Sequence, residues 1–279
     1  MKVFITSQSL VEHLSNKTRP LGMVPTMGAL HPGHLSLIER AVKENQCVLI
    51  SIFINPTQFD DKKDLERYPV NIHADLCLIK EISEKVLVYV PKVDDIYGNM
   101  VESKSFDLGG LDEVMEGEKR SGHFQGVATV VTHFLKTFSP DHAYFGEKDF
   151  QQLLIIEHVV QSLKLQTKII GCPIIRESNG LAMSSRNSLL SDDQRKLASK
   201  LFEALQFAKS NAKKTPYGTL KNMVAGLFEK HHELTLDYFK IADPKTLIEI
   251  HLEETVDRGR GFIAAHLGKI RLIDNLDMS

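Results

Sequence analysis

Apolar residues fall along this chain in short runs alternating with stretches of helical spacing, and the alternation predicts the elements. Leu21 to Val24 is an apolar run; Leu35, Leu37, Ile38, Ala41 and Val42 then recur at helical spacing until Lys43-Glu44-Asn45 ends the pattern. A second run, Cys47 to Ile54, follows at once. Strand, turn, helix and strand make a βαβ unit with parallel strands and a right-handed crossover. Residues 1 to 20 read as a strand and a helix over Ser7 to Ser15. Downstream, Asn71 to Ser83 has helical spacing through Ile72, Leu76 and Ile79, and Val86 to Val90 is a buried strand. Val127 to Phe138 reads as a helix, Ala143-Tyr144-Phe145 as a short strand, Phe150 to Leu163 as a helix with a broad apolar face, and Lys168 to Ile175 as a strand.

Two stretches break the alternation. Between Asp94 and Gln125, Gly109-Gly110, Gly117 and Gly122 predict a long loop or lid rather than core. Past a boundary near 175 to 190, Asp192 to Lys213 and Thr219 to His231 read as helices. Leu234 to Ala242, Gly261 to His266 and Ile270 to Ile273 follow as strands, the last two joined by Leu267-Gly268-Lys269. The expected fold class is therefore α/β: a Rossmann-like parallel-sheet domain over residues 1–177 and a smaller α+β C-terminal domain over residues 178–279 that serves as a lid.

Composition narrows the class. The 279 residues suit two domains, and 42% hydrophobic with 25% charged residues is ordinary for a globular protein. A formal net charge of -2 argues against nucleic acid as a general partner, so local basic groups must do any anion binding. Cys47, Cys77 and Cys172 are odd in number and lack a C-x-x-C pair, which argues against a disulfide framework. No signal-peptide core follows Lys2 and no 18-residue apolar run is present, so a soluble cytoplasmic protein without membrane association is expected.

The chemistry-bearing stretch is Met23-Val24-Pro25-Thr26-Met27-Gly28-Ala29-Leu30-His31-Pro32-Gly33-His34, a Gly-, Pro- and His-rich turn from strand to helix. Free N–H groups and the positive dipole end make a helix start a phosphate site. Gly28 permits a conformation that a Cβ resists, and Gly33 lets a ligand approach the first turn. His31 and His34, three apart, can present two N–H donors from one face. A histidine at a helix start also serves as a cap, and a pair can be half of a metal site; the G-x-x-x-x-G-K-[ST] pattern is absent. Three later strand ends repeat the theme. Asn55 to Phe59 places Gln58 on the ligand edge, where its amide can donate and accept. Gly146-Glu147-Lys148-Asp149 offers N–H groups and an ammonium at a helix start. The stretch from Arg176 to Asn187 sets Ser184 and Ser185 beside Arg186, a phosphate clamp of two hydroxyls and a guanidinium fork. His231-His232 marks a surface helix end, because adjacent helical residues face different directions.

PTMGALHPGH, FINPTQF, GHFQGVATVV, AYFGEKDFQQL and GLAMSSRN, in this order between residues 25 and 187, resemble the motifs of the pantoate–β-alanine ligases in the HIGH-motif nucleotidyltransferase group. The resemblance implies a homodimer that uses ATP, (R)-pantoate and β-alanine, with Mg²⁺, to form pantothenate, AMP and pyrophosphate through a pantoyl adenylate. It places ATP on Met27, Gly28, Ala29, Leu30, His31, Pro32, Gly33 and His34, and on Gly146, Glu147, Lys148, Asp149, Ile175, Met183, Ser184, Ser185 and Arg186. His34 takes the role of proton donor, with His31, Lys148 and Arg186 as further catalytic groups. Gln58 and Gln152 match the pantoate-binding glutamines, Arg120 and His123 match basic residues around the site, and Asp75 falls in the acidic stretch associated with Mg²⁺. Val70 stands where many relatives have Arg, and His133 replaces a frequent Lys. Two other functions share the central turn: a nucleotidyltransferase that leaves its nucleotide on a phosphate acceptor, and a non-catalytic nucleotide-binding protein.

Overall fold

The computed structural model describes residues 1–16 and 18–279, and these divide into two compact units. The first comprises Met1–Glu147 and Gln151–Pro173; the second comprises Lys148–Phe150 and Ile174–Ser279.

The first unit is the predicted alternation of strands and helices. In chain order it runs β1 (Lys2–Phe4), α1 (Ser7–Leu14), β2 (Leu21–Thr26), α2 (Pro32–Glu44), β3 (Cys47–Ile52), α3 (Lys62–Arg67), α4 (Ile72–Ile82) and β4 (Leu87–Tyr89). It continues with α5 (Val93–Tyr97), α6 (Glu116–Lys119), α7 (His123–Phe138), β5 (His142–Gly146), α8 (Phe150–Ser162, whose first residue belongs to the second unit) and β6 (Lys168–Cys172). Every residue of β3 is buried, as a strand covered on both faces requires, and a run that is apolar except at Ser51 supplies it. Among the described residues the strands form one sheet in the order β1-β4-β3-β2-β5-β6, with parallel pairing throughout. Chain order runs one way from β2 through β3 to β4 and the other way from β5 to β6. The β2/β5 junction is thus the switch point, and open α/β sheets bind ligands outside the strand ends there. The turn after β2 opens at that point.

Residues 98–115 carry no helix or strand, as the loop reading of 94–125 expects, but the structure corrects its exclusion from the core. Two short helices flank them, and Leu108, Leu111 and Met115 are buried. The buried carboxamide of Gln151 holds the segment down: its Nε2 donates to the Leu111 and Val114 carbonyls at 2.7 and 2.8 Å, and its Oε1 accepts from the Glu116 N–H at 3.1 Å. Glycines at 109 and 110 with positive φ fold the chain tightly enough to bury apolar residues at irregular spacing, which periodicity does not register.

In the second unit, α9 (Asp192–Ala198), α10 (Lys200–Asn211) and α11 (Tyr217–Phe228) accompany an antiparallel sheet of β7 (Leu234–Ala242), β8 (Arg260–Leu267) and β9 (Ile270–Asp277). The single helix expected over Asp192 to Lys213 is broken at Ser199, whose hydroxyl donates to the Lys196 carbonyl at 2.8 Å and competes with the helical ladder. Ala204, Leu205 and Ala208 share one core with Ile263, Ala265 and Leu272.

Candidate active site

The turn after β2 is built from the backbone outward. Thr26 Oγ1 donates to the Ser51 carbonyl at 2.7 Å and accepts from the Gly28 N–H at 3.2 Å, so the strand end fixes the first residue of the turn. Gly28 (φ 80°) and Ala29 (φ 49°) then lie in the left-handed region. A Cβ on Gly28 would stand 2.9 Å from the Asp75 carboxylate and 3.0 Å from Ile52, so the position requires glycine for space as well as for backbone. Asp75, in the first turn of α4 and 3% exposed, takes the next two N–H groups: Ala29 donates to Oδ2 at 3.0 Å and Leu30 to Oδ1 at 2.8 Å.

His31 is the N-cap of α2, with Pro32 in the first helical turn. Its Nδ1 accepts from the Gly33 N–H at 3.1 Å, which assigns its proton to Nε2. The His31 and His34 rings stand 4.0 Å apart between centroids, as a three-residue spacing at a helix start dictates. Capping and ligand presentation are therefore compatible: one ring nitrogen serves the helix and the other keeps a donor.

Gln58 ends a short 3-10 turn, Pro56–Gln58, beyond β3. Asn55 Nδ2 donates to its Oε1 at 3.1 Å, which orients the amide and directs Nε2 to the Met27 sulfur at 3.0 Å. Asn55 is itself buried, donating to the Gly126 carbonyl at 3.0 Å and accepting from the Tyr97 hydroxyl. His123 Nδ1 donates to the Gln58 carbonyl at 2.7 Å, so its Nε2 accepts from Arg120 Nη1 at 3.1 Å: the partners assign a neutral imidazole. Helix α7 approaches this turn so closely that a Cβ on Gly126 would meet the Thr57 carbonyl at 2.5 Å. Gly126→Ala is expected to push the Pro56–Gln58 turn away and to destabilise the protein by about 1–3 kcal/mol in urea unfolding; unchanged stability would show that the contact yields freely.

A cavity of about 420 Å³ adjoins the turn, bounded by Met27, Gly28, Ala29, Phe53, Asp75 and Lys92 among others. Val70 also lines it, though 63% exposed. His133 lies in α7, where burial and then the nearby Lys104 ammonium lower its pKa from the ordinary histidine value. It therefore does not replace the charge of a lysine at neutral pH.

The remaining sequence candidates are distributed as follows. Gly146 and Glu147, at the carboxyl end of β5, belong to the first unit, as does Gln152, half-buried in α8 next to Gln151. Lys148 and Asp149 belong to the second unit and form an ion pair at 3.5 Å. So do Ile175 and Met183, joined by a backbone bond from Met183 N–H to the Ile175 carbonyl at 3.0 Å. Ser184 caps the 3-10 turn Ser185–Leu189, its Oγ accepting from the Arg186 N–H at 3.3 Å. Asn187 fixes the base of that turn, donating to Glu177 at 2.8 Å and to the Ala182 carbonyl at 3.1 Å. Tyr97 and Gln151 act through partners far along the chain, and Asn55, though it orients the nearby Gln58, is itself fixed by the distant Gly126 and Tyr97, so none of the three carries a sequence signal for its supporting role.

The residues present do not fit a resident metal. Both oxygens of Asp75 are engaged by backbone N–H groups, and among the described residues no group of three His, Cys, Asp or Glu side chains is gathered to hold an ion.

Comparison with known proteins gives the same picture over the whole length. The family model described as Pantoate-beta-alanine ligase matches residues 2–277. A pantothenate synthetase of Christiangramia forsetii is 44% identical over 287 residues, covering 100% of both chains. The crystal structure of a pantothenate synthetase from Thermus thermophilus superposes with a TM-score of 0.93 at 38% identity, covering 100% of this chain and 99% of that one. A pantoate-beta-alanine ligase from Francisella tularensis, complexed with beta-gamma ATP and beta-alanine, does so with a TM-score of 0.81 at 33% identity, covering 100% and 98%.

Proposed function

The chain belongs to the pantoate–β-alanine ligase family, and from that premise we propose that it forms pantothenate from (R)-pantoate and β-alanine in two steps at the residues described above. ATP is its co-substrate, and the Francisella relative carries the corresponding nucleotide and amine. In the first step the pantoate carboxylate attacks the α-phosphorus of ATP and pyrophosphate leaves, giving a pantoyl adenylate. In the second the β-alanine amine attacks the acyl carbon and AMP leaves.

The observation that carries this reading is the turn after β2, where a helix start and two neighbouring histidine rings lie at the switch point of the sheet and an oriented glutamine amide from beyond β3 reaches Met27. The first step brings two anions together, so its main requirement is fixed positive potential. The positive end of the α2 dipole and the ring donors on His31 and His34 meet charge without reorganising. Lys148, Ser184, Ser185 and Arg186 of the second unit are assigned to the phosphates, and Gly146, Glu147, Asp149, Ile175 and Met183 to the rest of the nucleotide. Mg²⁺ enters with ATP as part of the substrate, neutralising phosphate charge. Gln58 and Gln152 orient pantoate, with Arg120 and His123 around the acid. A homodimer in the cytoplasm is the setting proposed; among the described residues no helix is long and apolar enough to cross a membrane.

The test is incubation with Mg-ATP and pantoate, with and without β-alanine. Pantoate-dependent pyrophosphate exchange before the amine, and AMP with pantothenate after it, are expected. Exchange supported only by a phosphorylated acceptor would replace the reading with a nucleotidyltransferase, and ATP binding without exchange would leave a non-catalytic binder. Gln58→Ala and Gln152→Ala are each expected to raise the KM for pantoate more than that for ATP. Equal effects on both would make the glutamines structural.

A further inference from the structure

We propose that Asn275, on β9, is the positioning residue for Lys148, and that with Asp274 it ties both phosphate-assigned segments of the second unit to the C-terminal hairpin. The proposal rests on the assignment of Lys148 and Ser184–Arg186 to the ATP phosphates made above.

Asn275 is 2% exposed and lies 127 residues beyond Lys148 in the chain, yet its Nδ2 donates to the Lys148 carbonyl at 2.9 Å. Its Oδ1 accepts from Arg260 Nη1 at 2.5 Å. A carbonyl only accepts and a guanidinium only donates, so the carboxamide has one permitted orientation. Two residues past Lys148, the Phe150 ring lies 3.9 Å beneath the Arg260 guanidinium and 6.0 Å from the Phe262 ring. The hairpin thus grips the 148–150 segment at both ends, which explains why it groups with the second unit although the chain on either side belongs to the first.

Asp274, the preceding residue, holds the other segment. Its carboxylate receives a two-pronged bond from Arg176, at 2.6 and 3.0 Å. The same guanidinium donates to the Gly180 carbonyl at 3.0 Å and to the Asn275 carbonyl at 3.3 Å, and packs 3.8 Å over the Phe202 ring. Arg176 opens the stretch that leads to Ser184, Ser185 and Arg186. Adjacent residues of one strand therefore set the backbone of both cationic segments.

This arrangement has a functional consequence as well as a structural one. The direction of the Lys148 side chain follows from its own backbone, and the Asn275 bond fixes the peptide unit that begins at its carbonyl. A displacement of about 1 Å at a group that meets reacting phosphates is enough to lose up to a hundredfold in rate.

The experiment is a double-mutant cycle on the full-length protein, reading kcat and the KM for ATP in pantoate-dependent pyrophosphate exchange. Asn275→Ala is expected to lower kcat about tenfold while leaving a cooperative melt, and in a Lys148→Ala background to lower it no further. Asn275→Asp keeps the acceptor for Arg260 but cannot donate to Lys148; it is expected to repeat the result and serves if the alanine variant fails to fold. Independent, multiplying losses would overturn the proposal and leave Asn275 a structural residue. If Lys148→Ala exchanges like the unaltered protein, the assignment of Lys148 to ATP falls first. Normal exchange in Asn275→Asp with a slow Lys148→Ala overturns only the positioning role.

Discussion

Replacing His34 with alanine is expected to lower the rate of adenylate formation by about two orders of magnitude, close to 3 kcal/mol of transition-state stabilisation, with the fold intact. The size follows from what the ring supplies. As pyrophosphate departs, negative charge grows on the oxygens it takes with it, and a donor already held in place lowers that barrier without waiting for water to turn. The His34 backbone is held in the first turn of α2, where its main-chain N–H donates to the His31 carbonyl at 2.8 Å, and its ring packs 4.0 Å from that of His31. The backbone bond survives the substitution, and alanine is the better helix former, so the melting temperature should hold. His31→Ala separates the two jobs of the pair. It removes a donor and also the cap that accepts from Gly33, so it should lose about 1 kcal/mol of stability in addition to rate. Exchange kinetics and melts on the two variants check both statements. Near-normal exchange in His34→Ala would refute its role, and glutamine at 34, which keeps an N–H donor, should recover part of the rate.

These expectations depend on features the sequence displayed unequally. The βαβ unit, the helix start at His31 and the turn at Gln58 were legible because each is local: an apolar run, a helical spacing and a Gly-Pro-His turn lie within a few residues of one another. The hairpin of β8 and β9 was legible for the same reason, although β9 extends to Asp277 where the pattern predicted an end at Ile273. Beyond Ile273 it continues through Asp274, Asn275, Leu276 and Asp277, and the adjacent polar pair Asp274 and Asn275 is buried because it binds Arg176 and Arg260. Buried polar residues read as surface until their partners are known. The burial within the segment from 94 to 125 was missed for a related reason, since the Gln151 carboxamide that holds it comes from another part of the chain. Residue types proposed to meet ligand were recognisable, while those that hold them, Asn55, Asn275 and Asp75, were either silent or pointed to a different role.

Asp75 gives the second large effect, and it separates those two roles. A buried carboxylate beside a turn proposed to bind phosphate is electrostatically unfavourable unless something compensates it. Two things do: the positive end of α4, in whose first turn it lies, and the N–H groups of Ala29 and Leu30, which it receives at 3.0 and 2.8 Å. In return it holds Ala29 at a φ of 49°, a conformation that a residue with a Cβ adopts only when its surroundings enforce it. Asp75→Ala leaves two inward-facing N–H groups without their acceptor, at about 1–3 kcal/mol each, and the turn is expected to relax and the helix-start site with it. The KM for ATP should rise by tenfold or more, and the protein should melt earlier. Asp75→Asn is the sharper variant: it preserves shape and one acceptor, but sets an NH₂ against an N–H. If Asp75 acts by holding the turn, the ATP KM rises in Asp75→Asn while the Mg²⁺ concentration that half-saturates the reaction, taken at saturating ATP, stays where it was. If Asp75 is a metal ligand, that Mg²⁺ requirement climbs instead, and the stability of the metal-free protein is the quantity that does not change. The geometry favours the first outcome, because the carboxylate is already the acceptor around which the turn after β2 is folded.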